Sequence, residues 1–287
     1  MSLQRLVMLL SCAVLFAAPL RSHAQAAPAT PAAREFRVLM VGNSLTYTNN
    51  LPALLRAVGA SQGTTIVTET YAAPGGSLSE RWHDGHAADA LRARKFDVVV
   101  LQERSGKLAA CMATAEQRKA PCAASVHAYV ELAALAKAAG AKTLIFNVWG
   151  PDDRWQGRLN RSARMIAEKS SATVFNAAGA LRALHKVNPD ANLFPDGNHP
   201  STLASLMVAL ALYRDISGTA PTAKDLLLTA PLLPTNAAVY PSSAMETQPG
   251  LSGNGKVTVI PAKLIEPLVQ ALPAPGSAEM DPSRRGR

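Results

Sequence analysis

Phe36-Arg37-Val38-Leu39-Met40-Val41-Gly42-Asn43-Ser44-Leu45 is the stretch that decides the fold. Four consecutive apolar residues, 38–41, suit a strand buried on both faces, and the Gly-Asn-Ser that follows suits a sharp turn into a helix. Working outward, further short runs rich in β-branched residues and bounded by turn residues stand at 65–68, 98–101, 143–146 and 173–175. Between them the apolar spacing predicts helices over 51–60, 78–94, 125–139, 157–170 and 178–186. A sixth, 202–216, carries Leu203, Leu206, Met207, Leu210 and Tyr213 at helical spacing. Strand-helix alternation predicts an α/β fold, a parallel sheet covered on both faces and joined by right-handed crossovers.

This plan places chemistry on one rim. Ser44 follows the first strand, Gly75-Gly76 the second, Gln102 the third and Asn147 the fourth, at the strand carboxyl ends where open α/β sheets hold their sites. Asp196-Gly197-Asn198-His199-Pro200 precedes the last long helix and can fold back over the same edge. A serine hydroxyl becomes a nucleophile only when a base takes its proton. His199 fits as that base, and Asp196, three residues earlier, can fix its tautomer and stabilise the imidazolium. The same residues also suit plainer roles, Ser44 as a helix cap and Asp196 to Ser201 as a polar helix start.

With those residues in view, the chain resembles the SGNH (GDSL-like) hydrolase superfamily over about 36–217. Gly42-Asn43-Ser44-Leu45 resembles its first block, Pro74-Gly75-Gly76-Ser77-Leu78 its glycine block, and Asp196 to Pro200 matches Asp-x-x-His-Pro in full. The resemblance implies a three-layer, flavodoxin-like fold with five parallel strands, and hydrolysis of a carboxylic ester through an acyl-enzyme at Ser44. It implies an oxyanion hole from the amide of Ser44, the amide of Gly75 or Gly76, and the side chain of Gln102. The family usually places Gly-x-Asn after the third strand, whereas this chain reads Leu101-Gln102-Glu103-Arg104-Ser105. Asn43 in place of the first-block Asp leaves the triad intact, because the triad carboxylate comes from the last block. A non-catalytic carbohydrate-binding or envelope protein on the same fold, or an acyltransferase, would carry the same residues.

Other residues are weighed beside these. Asn147 and Trp149, at the fourth strand's end, are expected to touch substrate, and Glu103 and Arg104 are expected to pair with each other or, as the second reading, to line the pocket. The loops 103–124 and 149–157 are expected to set the pocket's depth. His83 and His86 lack the third ligand a zinc site needs, so neither a metal nor a cofactor is expected.

The 287 residues are 48% hydrophobic and 17% charged, enough apolar sequence for one main domain with a large core. Arg5, the apolar run 6–20 and Ser22-His23-Ala24 predict a signal peptide over 1–24. The run is shorter than the ~20 residues a membrane-spanning helix needs. Apolar sequence continuing past Cys12 argues against a lipoprotein site there. The mature chain then keeps Cys111 and Cys122, an even count that predicts a disulfide worth about 2–3 kcal/mol in an exported protein, periplasmic or secreted. Removing Arg5 and Arg21 from the 29 basic residues leaves 27 against 20 acidic ones, scattered except at Arg284-Arg285-Gly286-Arg287. No basic helix or RNA-binding signature accompanies the excess, so nucleic acid is not an expected partner, nor is stable membrane insertion after cleavage. The expected partner is a small-molecule or polysaccharide ester. After a linker over 25–35 and the domain over 36–217, a Pro-rich extension over 218–272 should pack on the domain. It carries an edge strand at 256–260 and a helix at 264–272, and the tail 273–287 should be disordered.

Overall fold

The computed structural model describes residues 34–111 and 121–273. The expected leader, nearly all of the linker, residues 112–120 and residues 274–287 lie outside them. The main sheet is built from β1 (Glu35–Asn43), β2 (Thr65–Ala73), β3 (Val98–Gln102), β4 (Lys142–Phe146) and β5 (Thr173–Phe175). All pairs are parallel and the order is β2-β1-β3-β4-β5. Val38, Leu39, Met40 and Val41 are fully buried, as the continuous apolar run requires of a strand with helices on both faces. Since β1 lies between β2 and β3, the strand order reverses at β1, and the crevice above its carboxyl end is where this topology leaves room for a ligand.

The helices are α1 (Ser44–Tyr47), α2 (Leu51–Ser61), α3 (Leu78–His83), α4 (His86–Ala93), α5 (Ser105–Ala110), α6 (Pro121–Ala138), α7 (Asp153–Ser170), α8 (Ala177–Val187), α9 (Thr202–Ser217) and α10 (Ala262–Ala271). One layer joins α2, α8, α9 and α10; the other joins α3 to α7. The single helix expected over 78–94 is two, because Gly85 takes a left-handed φ of 77° and the Arg81–Asp84 ion pair, 2.8 Å, closes the end of α3. The six-residue α5 falls in a stretch read as loop, too short to show a periodic apolar face. Cys111, directly after it, is bonded to Cys122 of α6, with Cα atoms 4.9 Å apart.

Beyond α9 the strand expected at 256–260 does not edge the main sheet. β7 (Thr258–Ile260) instead pairs antiparallel with β6 (Leu226–Leu228) in a separate two-stranded sheet. The sequence between them wraps over the β1–β2 end and builds its own small core from Leu233, Val239, Met245 and Leu251 against Tyr47 and Ala72. Its carboxylate Glu246 accepts from Thr68 Oγ1, Thr70 N and Thr70 Oγ1 at 2.7, 2.8 and 2.7 Å and faces Arg56 at 3.6 Å. No helix among the described residues is long and apolar enough to cross a membrane.

Candidate active site

The turn after β1 is fixed before any side chain reaches solvent. Asn43 caps α1, its Oδ1 accepting from Leu45 N at 3.0 Å, so Ser44 becomes the first helical residue, half-buried and facing out. A Cβ on Gly42 would sit 2.3 Å from Thr46 Oγ1 and 2.5 Å from Gln102 Oε1, so only glycine allows that approach. Asn49 and Asn50 then take left-handed φ of 56° and 55°, which asparagine tolerates better than most residues. Asn49 reaches across to the start of α9, donating from Nδ2 to Pro200 O at 2.8 Å and Ser205 Oγ at 3.0 Å and accepting from Thr202 Oγ1 at 3.1 Å. It thereby ties the serine segment to the histidine loop.

That loop is organised by its own acid. Asp196 Oδ1 accepts from the amides of Asn198 and His199 at 3.0 and 2.7 Å, while Oδ2 meets His199 Nδ1 at 2.7 Å. The His199 amide above all, with its imidazole and the Asn198 amide, holds the Asp196 carboxyl down to about 2. A carboxylate on Nδ1 makes that nitrogen the donor and leaves Nε2 as acceptor, and Nε2 lies 2.8 Å from Ser44 Oγ. Ser44, His199 and Asp196 thus form one unbroken hydrogen-bonded line.

At the end of β2, Gly75 has φ 62° and lines the same cavity as Ser44. The amide of Gly76 is committed to Ala73 O at 3.1 Å, whereas that of Gly75 has no partner among the described residues. Gly76 O accepts from Asn43 Nδ2 at 2.9 Å, so the serine turn and the glycine turn are held at a fixed separation. An Asp at position 43 could cap α1 but could not donate this bond, so the exchange does matter. The cavity, about 690 Å³, is completed by Tyr47, Asn198, the Arg104 to Lys107 stretch, and Thr235 from the C-terminal region.

No protein-family model matches the chain, and no curated protein matches it. Solved structures do. A DUF4886 family protein from Bacteroides uniformis is similar with TM-score 0.52 at 13% identity, over 64% of this chain and 84% of that one. The psychrotrophic esterase EstA from Pseudoalteromonas sp. aligns at TM-score 0.47 and 17% identity, covering 63% and 97%. An acetylxylan esterase from Geobacillus stearothermophilus aligns at 0.46 and 16%, covering 64% and 95%. The likeness is one of fold.

Three expected site residues stand elsewhere. Gln102 is fully buried and does not line the cavity: Oε1 accepts from Asn43 N and Thr46 Oγ1, both at 2.9 Å, and Nε2 donates to Glu103 O at 2.8 Å. With Oε1 turned to the Asn43 amide and the Thr46 hydroxyl, the side chain is an acceptor that seats the serine turn, buried away from the cavity. Asn147 is buried with Nδ2 on Asn160 Oδ1 at 2.8 Å. Trp149 buttresses the histidine loop, Nε1 donating to Asn198 O at 2.8 Å and its ring 5.5 Å from that of Phe194; it lines a different cavity of about 420 Å³. Much of the expected 149–157 loop lines that second cavity and not the one at Ser44.

Glu103 does not pair with the Arg104 guanidinium. Its buried carboxylate accepts from Leu78 N at 3.0 Å, Ser125 Oγ at 2.7 Å and Arg104 N at 2.7 Å, joining the end of β3 to α3 and α6. Burial pushes its pKa up. His83 Nδ1 lies 2.6 Å from Ser79 O, and no group of three metal-binding side chains occurs among the described residues. Asn49 and Thr235 escaped the sequence reading. Only Asn49-Asn50 carried a local signal, a pair of left-handed-tolerant residues just after the serine turn.

Proposed function

We propose that the protein is an exported serine ester hydrolase of the SGNH type, acting on an acyl or acetyl ester of a small molecule or carbohydrate. The single observation that carries this is the line from Ser44 Oγ through His199, 2.8 Å, to Asp196, 2.7 Å. His199 Nε2 takes the Ser44 proton as Oγ attacks the ester carbonyl carbon. The carbonyl oxygen, now an oxyanion, is met by the unpartnered amide of Gly75, with the amide of Ser44 beside it at the start of α1. Each such donor is typically worth about 3 kcal/mol in the transition state. His199 returns the proton to the departing alkoxide, leaving an acyl-Ser44 ester. Water, deprotonated by His199, attacks that ester and releases the acid, regenerating Ser44. The cysteine bridge and the leader-like first 24 residues support export.

Incubating the mature protein with p-nitrophenyl acetate tests the reading. Ser44→Ala should abolish turnover and labelling by a fluorophosphonate; equal rates in variant and wild type would refute it.

A further inference from the structure

We propose that the Ser44 cavity takes esters bearing an anionic group, carboxylate or phosphate, held by Arg104 and Lys107; this rests on the serine hydrolase reading. The wall opposite the triad is α5. Arg104 and Lys107, three residues apart, belong on one face of that turn, and both line the cavity. Among the described residues no Asp or Glu lines this cavity, so apart from His199 and Tyr47 its ionisable wall is cationic.

Neither cation has an ion-pair partner among the described residues. The buried arginines elsewhere do: Arg81 meets Asp84 at 2.8 Å and Arg214 meets Asp215 at 2.7 Å. The carboxylates nearest Lys107 are already engaged. Glu103 holds three donors, and Glu80 accepts from Ser77 N at 2.6 Å in the cap of α3. Lys107 draws both carboxyls toward ionisation without bonding either.

The wall is also set in place in advance. Glu103 Oε1 takes the Arg104 amide, Leu108 N donates to Arg104 O at 3.1 Å, Ser162 Oγ donates to Leu108 O at 2.7 Å, and the Cys111–Cys122 bond follows one residue after α5. The backbone that carries the two positive heads is thus in place before an anion arrives. Arg104 adds a planar fork that matches carboxylate or phosphate oxygens. Substrates in which a negative group lies a few ångströms from the acyl carbon would be drawn in and oriented, while neutral esters would find the same nucleophile without that hold.

The test is a set of matched esters, the members of each pair differing in one anionic group. p-Nitrophenyl hemisuccinate against p-nitrophenyl butyrate places the anion on the acyl side. Acetylated methyl glucuronide and acetylated glucose 6-phosphate, each against acetylated methyl glucoside, place a carboxylate or a phosphate on the alcohol side. At 50 mM salt the expected kcat/KM ratio of charged to neutral ester is about tenfold in at least one arm, falling toward one at 0.5 M salt. In Arg104→Ala and Lys107→Gln that ratio should fall, and it should approach one in the double variant. Ratios near one in every arm while Ser44-dependent turnover is intact would overturn the proposal, as would a ratio unmoved by the double variant. Should Ser44→Ala match wild type, the hydrolase reading fails, and calorimetry with methyl glucuronide against methyl glucoside then decides the anion site. Salt-sensitive binding of the glucuronide alone, lost in the double variant, supports it, and equal or absent binding overturns it.

Discussion

The two halves of the Ser-His-Asp line are held in opposite ways. The serine turn is buried and cross-braced: Gln102 accepts from Asn43 N and Thr46 Oγ1, Asn43 donates to Gly76 O, and Gly42 leaves no room for a side chain. The histidine loop lies near the surface, with Asp196 47% and His199 18% exposed at the side chain, and Asp196 bonds only within its own turn. The position of the proposed nucleophile is therefore bound to the stability of the sheet's carboxyl rim, whereas the proposed base is held locally. Mutations in the two halves should separate activity from stability.

The largest separation is expected at His199. His199→Ala removes the proton acceptor, and the proposed esterase rate should fall about 10⁴-fold or more. An imidazole whose only side-chain bonds among the described residues are to Asp196 and the Ser44 hydroxyl contributes little to folding, so urea denaturation should report a loss under about 1 kcal/mol. A large stability loss would mean the loop is not the independent unit its bonds suggest. The reverse pattern is expected at Gln102. Gln102→Leu keeps the volume but orphans the buried Asn43 amide and Glu103 carbonyl, at about 1–3 kcal/mol each, read as a drop in the denaturation midpoint. If Gln102→Leu were fully stable yet lost activity like Ser44→Ala, the side chain would be acting on substrate after all.

That residue shows where the sequence stopped being legible. The five strands, their parallel order and the rim position of Ser44 follow from local signals, because buried parallel strands read as unbroken apolar runs and the serine sits on the turn that ends one. The spacing within Asp196 to His199 made the loop readable as well. Gln102 was recognised as a strand-end amide, but an amide can donate or accept. Which it does depends on Asn43 and Thr46, residues nearly sixty positions away that become neighbours only through the β1–β3 pairing. Asn147 and Trp149 failed similarly: reaching the rim says nothing of which way the side chain turns, and both turn into the protein. Thr235 enters the cavity from 191 residues past Ser44 in a Pro-rich stretch with no periodicity, anchored by Tyr47 Oη to Thr235 O at 2.8 Å.

Besides the His199–Ser44 bond itself, Asn49 bridges the two halves, so it sharpens the comparison at smaller cost. Asn49→Ala loses the bonds to Pro200 O and Ser205 Oγ and places alanine at a φ of 56°, a combination worth about 2 kcal/mol. Because Ser44 and His199 then lose a common tether, kcat should fall about tenfold while KM for a small ester changes little. Asn49→Gly relieves the backbone but not the bonds. Recovery of stability without recovery of kcat would identify the bridge, and not the strain, as what aligns the pair.

The smallest effect is one of pH, and its sign differs between the halves. Asp196, at about 2 in the folded chain against an ordinary 3.8, favours folding while ionised, so its contribution is complete above pH 4 and fades as pH falls toward 2. Glu103 is shifted upward by burial, so its protonated form is the one folding favours; that contribution is complete below its ordinary 4.5 and is lost as pH rises through the higher folded value. Thermal melts of Asp196→Asn should therefore flatten the loss of stability between pH 4 and 2. Glu103→Gln should instead flatten the decline that sets in above pH 4.5, while lowering the melting temperature at every pH because one of three buried donors loses its acceptor. An exposed carboxylate is screened by water, so the Asp196 change should be the shallower of the two, and salt should weaken it further. If instead Asp196→Asn moved the acid limb by more than Glu103→Gln lowered the plateau, the histidine loop would be the more strongly held half, and the contrast between a braced nucleophile and a locally tuned base would have to be inverted.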